Sequence, residues 1–315
     1  MDIYNLGLVS WWESQCYYHA LAYLGREGVI ICRPAEPYVC LGLHDDLEQE
    51  IDQEFCRERG LPILRRETGG GVVYLDSRQI FYQVVLQRDN PRRPMKRDRL
   101  FAAVLAPAID IYRSFGLAAE LAPPADIQVD GRKCSGNASG DIGQSCAYVG
   151  NLLLDFDFEV MSRILKVKTL AFRTCLRRVM QDNMLTLSDG QNDIDLPFLE
   201  AEFARGFERQ FGELRERRLD QEMRAMAKEL KERLTSKAWL LMPGRRTWMR
   251  RIKIAEGLFL QETRMGESSP VLVLIRDGVI ETVTIPENPP RTVPKSEWQL
   301  LQGCWQEEFI KGVGL

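Results

Sequence analysis

Histidine is almost missing: His19 and His44 are the only two in 315 residues. Eight cysteines stand at 16, 32, 40, 56, 134, 146, 175 and 304, and no two of them form a C-x-x-C pair. So few imidazoles and no paired thiols exclude a zinc site of the usual spacing. The cysteines read as free thiols of a reducing compartment. An excess of either charge is lacking too. The net charge is −3, so no global basic field draws in nucleic acid. No apolar run approaches the roughly 18 residues of a membrane helix. The opening MDIYNLGLVSWWESQ has neither the basic flank nor the apolar stretch of a signal peptide. The expectation is a cytoplasmic chain with no membrane and no nucleic-acid partner. Internal repeats and low-complexity segments are absent as well.

What is present is an ordinary globular mixture, 45% apolar and 28% charged, long enough to bury a core without disulfides or metals. Apolar residues at helical spacing (Trp12, Cys16, His19, Ala20, Tyr23) predict a helix over 11–24, stopped at Gly25. GVIICRP and YVCLGLHDD read as strands, and 47–59 as an acidic helix ending at Gly60. LPILRRE is a strand running into Gly69, Gly70 and Gly71. GVVYLD and QIFYQVVL read as strands paired with each other, and NPRRP at 90–94 as a loop. Leu100, Val104, Ala108, Ile111 and Phe115 share one side of a helix over 98–115. ELAPPADIQVDGRKCSGNAS is strand, turn, strand around Asp130-Gly131. AYVGNLLLDFD is a buried strand and FEVMSRILKV a helix. Two helices share 197–235, divided at Gly212, with Phe203, Phe207 and Phe211 on one face and Met223, Met226, Leu230 and Leu234 on the other. The texture changes after Ser236. RRIKIAEGLFLQET and a hairpin across Asp277-Gly278 predict a small α+β module, closed by a helix in SEWQLLQGCWQEEF. The boundary falls near 235.

Two segments carry chemistry. The first is RRETGGGVVYLD, residues 65–76. Three glycines after a strand let backbone approach a ligand closely and offer N–H groups as an anion nest, while Arg65 and Arg66 supply fixed positive charge. On composition alone the same glycines read equally well as a flexible turn. They are no P-loop: G-x-x-x-x-G-K-[ST] is missing, as is G-x-G-x-x-G opening a helix. The second segment is DGRKCSGNA, residues 130–138. Lys133 lies on a strand after a tight turn and should aim inward, where a lysine must be paired, neutralised or set against an anion. One such lysine can bridge a carboxylate and an α-phosphate and stabilise the charge that develops as they join. The bland alternative is an exposed hairpin lysine.

In this order, the two segments resemble the lipoate–protein ligase family. RRETGGGVVYLD is similar to its Arg-Arg-x-Ser-Gly-Gly-Gly-x-Val-Tyr-His-Asp signature, ADIQVDGRKCSGNAS to its lysine segment, and YVGNLLLDFD to its His-His-Gly-Thr-Leu-Leu strand. EGLFLQETRMGESSPVLVLIRDGVIETVTI resembles the accessory domain of these ligases. The resemblance implies an α+β fold, a biotin/lipoate ligase-like mixed β-sheet with flanking helices over 1–235, with a small α+β accessory domain over 236–315. It implies ATP-dependent formation of lipoyl-AMP from lipoate, assisted by Mg²⁺, then transfer to a lysine of an apo acceptor: a lipoyl domain, an H protein-like carrier or a lipoate-binding protein of sulfur oxidation. Lys133 is the implied central residue. Arg66, Thr68, Gly69, Gly70, Gly71, Val73, Tyr74, Asp76, Asp126, Gly136, Asn137, Ala138, Gly150 and Leu152 are implied to line the substrate and adenylate site.

The sequence departs from the family where Leu75 and Tyr148-Val149 replace histidines and Ala125 replaces an asparagine. These changes suggest a specialised acceptor. An accessory domain in one chain favours a complete ligase. Two other readings stand beside it. An octanoyl- or lipoyl-transferase would need a thiolate near Lys133, and Cys175, among Arg173, Arg177 and Arg178, is the candidate; Cys134 should face away from Lys133. A non-catalytic lipoyl-binding relative would keep the pocket without the chemistry.

Overall fold

The computed structural model describes residues 1–90, 97–189, 194–247, 249–264, 270–287 and 290–295. Their frame is a mixed six-stranded sheet. From edge to edge its strands are Asn137–Ile142, Ser145–Leu153, Gln79–Gln87, Gly28–Pro34, Asp2–Val9 and Arg215–Glu216. Asp2–Val9 is parallel to both of its neighbours, and the other pairs are antiparallel.

Strand alternation sorts the side chains onto two covered faces. Val29, Ile31, Ile80, Tyr82 and Val84 pack under the helices Arg97–Ser114 and Leu196–Phe211, with Phe203, Phe207 and Phe211 buried there. Ile30, Cys32, Phe81 and Val85 face the other way, under Glu13–Tyr23 and Gln221–Thr235. The charged stretch after 196 is therefore amphipathic: its aromatic and Met/Leu faces are core, and the charges are solvated. Both helices start at an aspartate, Asp195 and Asp220, whose side chain accepts a backbone N–H of the first turn.

Two small sheets stand beside this frame. One joins Ile63–Arg65, Tyr38–Leu41 and Val73–Leu75; the other is the meander Glu120–Ala122, Asp126–Val129 and Arg132–Ser135. Asp130 and Gly131 both take positive φ at the tight turn, as Asp-Gly predicts. The five strands Arg251–Ala255, Leu258–Arg264, Pro270–Arg276, Val279–Ile285 and Arg291–Thr292 pair in order as an antiparallel sheet.

Two local expectations are corrected. Val73–Leu75 does not pair with Gln79–Gln87 but with Tyr38–Leu41. Asp76 ends the short strand by clamping Arg78, whose Nε donates to Asp76 Oδ2 at 2.9 Å, and the chain crosses there into the large sheet. The helix expected over 47–59 is two short ones, Leu47–Glu50 and Gln53–Glu58. Ile51 is pulled into extended backbone by a bridge to Leu165, and Asp52 then caps the second helix through the N–H of Phe55. Tertiary pairing overrides local propensity here. The 90–94 loop beyond Asn90 and the SEWQLLQGCWQEEF helix lie outside the described residues. Among those described, no helix is long and apolar enough to cross a membrane.

Candidate active site

The triple-glycine segment is held rather than loose. Gly69 N–H donates to the Ser139 carbonyl at 3.1 Å, and Leu43 N–H to the Thr68 carbonyl at 3.1 Å. Gly70 has φ +86°, and a Cβ on Gly42 would overlap the Gly70 carbonyl. Both positions therefore require glycine: one for its backbone angle, the other for the close approach. Arg66 completes the turn from inside. Its Nη2 donates to the carbonyls of Gly69 at 2.7 Å and Gly71 at 2.9 Å, and its Nη1 to that of Cys40 at 3.2 Å. Arg65 is fully buried and donates to the carbonyls of Leu43, Asp45, Leu240 and Met242. The fixed positive charge expected of this pair is directed onto the fold itself, with Arg66 also at the cavity wall. Both guanidinium groups are used on backbone carbonyls, the means by which a buried cation is satisfied.

Lys133 aims inward, as its strand position predicts. Its side chain is 17% exposed and its ammonium lies 3.0 Å from Asp126 Oδ1. The other Asp126 oxygen accepts the Glu256 N–H at 2.7 Å. One carboxylate thus joins the lysine to a turn of the C-terminal sheet. The neighbouring Cys134 faces the opposite side, buried in the core.

A polar network fixes the backbone beyond the lysine. Tyr82 donates its hydroxyl to Asn137 Oδ1 at 2.7 Å, and Gly136 N–H donates to Asn151 Oδ1 at 2.7 Å. Asn151 Nδ2 reaches Gln79 Oε1 at 2.7 Å, and Gln79 Nε2 the Tyr74 carbonyl at 3.1 Å. Burial raises the Tyr82 phenol far above its ordinary value, which keeps it a donor. A Cβ on Gly150 would overlap both the Tyr82 ring and Asn137 Oδ1.

These elements enclose a cavity of about 340 Å³, within the range of small-molecule sites. Arg66, Gly70, Gly71, Val73, Tyr74, Asp126, Lys133, Gly136, Asn137, Ala138 and Gly150 all line it. Four expected residues do not. Thr68 is fully buried, Gly69 is bound to the Ser139 carbonyl, and Asp76 is occupied by Arg78. Leu152 points into the core with Tyr148. On that strand Val149, Asn151 and Leu153 face the cavity instead. The period-two alternation could have found Asn151. The departures also find places: Leu75, Val149 and Ala125 line the cavity, while Tyr148 packs edge-on against Phe101 at 5.4 Å.

The cavity is amphipathic. The lysine and asparagine end is polar; Val73, Leu75, Phe81 and Val149 form one apolar wall. A second wall carries Met161, Leu165, Met180 and Met184. Arg251, Ile252, Lys253, Ile254 and Glu256 of the C-terminal sheet close it, and nothing local in the sequence marked them. Burial raises the Asp45 and Glu50 carboxyls above their ordinary range; Glu50 still pairs with Arg250 at 2.7 Å.

His19 is fully buried beside this site. Its Nε2 accepts the Glu67 N–H at 3.2 Å, so Nδ1 carries the proton and donates to the Gln15 carbonyl at 2.8 Å. Burial pushes its pKa down to about 3, so it is a neutral brace for the segment before the glycines. Cys175 lies on the helix Leu170–Asn183, away from the cavity lining. Burial pushes its thiol up to about 11 despite Arg178, contrary to the expected lowering. Cys40 does line the cavity, but it is fully buried and its thiol is raised by burial. Among the described residues, no three His, Cys, Asp or Glu side chains are grouped to hold a metal ion.

Residues 12–208 match the family model of the lipoyl protein ligase A/B catalytic domain. A lipoate–protein ligase of Streptococcus pyogenes is 34% identical over 42% of this chain and 37% of its own length. The octanoyltransferase LipM of Geobacillus kaustophilus is 24% identical over 55% of this chain and 70% of its own. The chain thus spans well under half of that ligase relative. Among solved structures, a bipartite lipoate protein ligase from Thermoplasma acidophilum has a TM-score of 0.68 at 21% identity, covering 78% of this chain and 98% of that one. Lipoate-protein ligase A bound with ATP has a TM-score of 0.63 at 22% identity, covering 76% and 99%. These likenesses show a shared fold, and the family match spans more than half of the sequence. The chain belongs to the lipoyl protein ligase A/B family.

Proposed function

We propose that the chain is an ATP-dependent lipoate–protein ligase. One observation carries this reading: Lys133 presents a cation at the polar end of a cavity whose far walls are apolar, across from a braced glycine turn. An acid with an apolar tail fits that polarity. A lipoate carboxylate oxygen would attack the α-phosphorus of ATP, and the α–β phosphoanhydride bond would break to release pyrophosphate. Lys133 would leave Asp126, contact carboxylate and α-phosphate together, and stabilise the added charge. A lysine of the apo acceptor, once deprotonated, would then take the acyl group and release AMP.

No group of carboxylates among the described residues would hold a Mg²⁺ ion by itself, so the ion would arrive on the nucleotide. Asp126 is engaged by Lys133 and Glu256. A hard cation of this kind is commonly held by substrate phosphates and water with one or two carboxylates. Bound there it would offset phosphate charge. Division of the chain near 235 into a catalytic part, 1–235, and an accessory part, 236–315, belongs to the same proposal. So does an acceptor drawn from lipoyl domains, H protein-like carriers or lipoate-binding proteins of sulfur oxidation.

Octanoyltransferases among the relatives supply the competing reading, acyl transfer through a cysteine. Cys175 is away from the cavity and Cys134 faces the core; Cys40 has no exposed surface. No described thiol thus sits open beside Lys133. The test is intact mass of an apo acceptor incubated with the protein, lipoate, ATP and Mg²⁺. A gain of one lipoyl unit that needs ATP and vanishes in Lys133→Ala is expected. Transfer from an acylated donor without ATP would overturn the ligase reading.

A further inference from the structure

Four cationic side chains line the cavity: Arg66, Lys133, Arg251 and Lys253. Three have partners. Arg66 is used on the carbonyls of Cys40, Gly69 and Gly71. Lys133 faces Asp126 at 3.0 Å, and Lys253 pairs with Glu256 at 2.5 Å.

Arg251 differs from them. It stands on the first strand of the C-terminal sheet, its guanidinium stacked over the Phe259 ring with 3.9 Å to the centroid. Its Nε is buried with no hydrogen-bond partner. No carboxylate or carbonyl among the described residues engages its side chain. Burial lowers its pKa from the ordinary value with no opposing charge to offset the effect. The Phe259 ring holds the guanidinium at the cavity, and an arginine so placed without a partner is suited to forked donation to phosphate oxygens. A partly buried cation without an anion is costly, and a site that keeps one is built to receive an anion.

We infer that Arg251 is the phosphate receptor that the C-terminal sheet contributes to the cavity, binding the part of the nucleotide that leaves as pyrophosphate. The inference rests on the ligase reading and deepens it. Lys133 serves the carboxylate and the α-phosphate, so the outer phosphates need a second cation. A single carboxylate needs no such pair.

The test uses the full-length protein with Arg251→Gln and Arg251→Lys, each checked for an unchanged melting temperature. Three quantities are read: KM for ATP in pyrophosphate release, transfer from chemically made lipoyl-AMP, and calorimetric binding of inorganic pyrophosphate. Arg251→Gln should raise KM for ATP at least tenfold, weaken pyrophosphate binding to a similar degree and leave transfer within twofold. Arg251→Lys should recover part of both losses, because the charge remains and the fork does not. Unchanged KM and unchanged pyrophosphate binding overturn the inference. An equal loss in transfer also overturns it, since the role would then be structural. If the unaltered protein releases no pyrophosphate with lipoate yet binds added pyrophosphate through Arg251, the ligase reading fails and the anion site stands.

Discussion

Asp126 accepts from two directions at once: the Lys133 ammonium at 3.0 Å and the Glu256 N–H at 2.7 Å. The lysine is thus held in place before any substrate arrives. Pre-orientation of this kind is where a catalytic cation gains most of its effect. Removal of the ammonium should cost adenylation about 10²–10³-fold, the scale of losing one placed donor. Lys133→Met, which keeps the stem, should show this loss in pyrophosphate release while lipoate still binds. Adenylation within tenfold of normal would sink the role given to Lys133.

The same carboxylate ties together residues 130 positions apart in sequence. Asp126→Asn keeps an acceptor for the Glu256 N–H but gives up the ion pair; Asp126→Ala gives up both. The Glu256 amide should therefore exchange with deuterium much faster in Asp126→Ala than in Asp126→Asn. Adenylation should fall in both, through the loss of lysine positioning. Equal Glu256 exchange in the two variants would show that the contact does not hold the turn.

His19 gives a pH signature of stability. Burial holds its folded pKa at about 3, below the ordinary histidine value of 6.5. The unfolded chain therefore binds more protons between these values, and stability falls as pH drops through that window. The slope approaches 1.4 kcal/mol per pH unit for one such group. Urea unfolding at pH 7, 6 and 5 should show a steeper decline for the natural protein than for His19→Gln, in which nothing titrates there. Parallel declines would mean that His19 gains a proton without unfolding.

Much of the site was legible because its chemistry is contiguous. The glycine turn and the segment from Lys133 to Ala138 are runs whose residue types have few other uses together, and both line the cavity. Strand alternation placed Lys133 and Cys134 on opposite faces, and the same rule puts Asn151 rather than Leu152 toward the cavity. Other features had no local signal. Arg65 looks like ligand-binding charge until the fold supplies carbonyls from 20 to 177 residues away, and Arg66 until the glycine turn folds back on it. Arg251 and Glu256 reach the site only because a later sheet packs over it, and no spacing encodes that. The split of the 47–59 helix likewise depends on Leu165, a partner more than 100 residues downstream.

Cys175 separates the ligase from a thioester transferase most directly. Arginines close in sequence suggested a reactive thiolate, yet burial raises the thiol to about 11, and at neutral pH such a group is almost wholly protonated and a poor nucleophile. It also packs among the apolar side chains of its helix rather than along the cavity wall. Cys175→Ala should keep ATP-dependent lipoylation within twofold and lower the melting temperature slightly, by removal of a small, partly buried group. The natural protein should react with iodoacetamide at this position far more slowly than an unfolded control. Rapid native-state alkylation of Cys175 that abolishes acyl transfer would restore the transferase reading and displace the ligase.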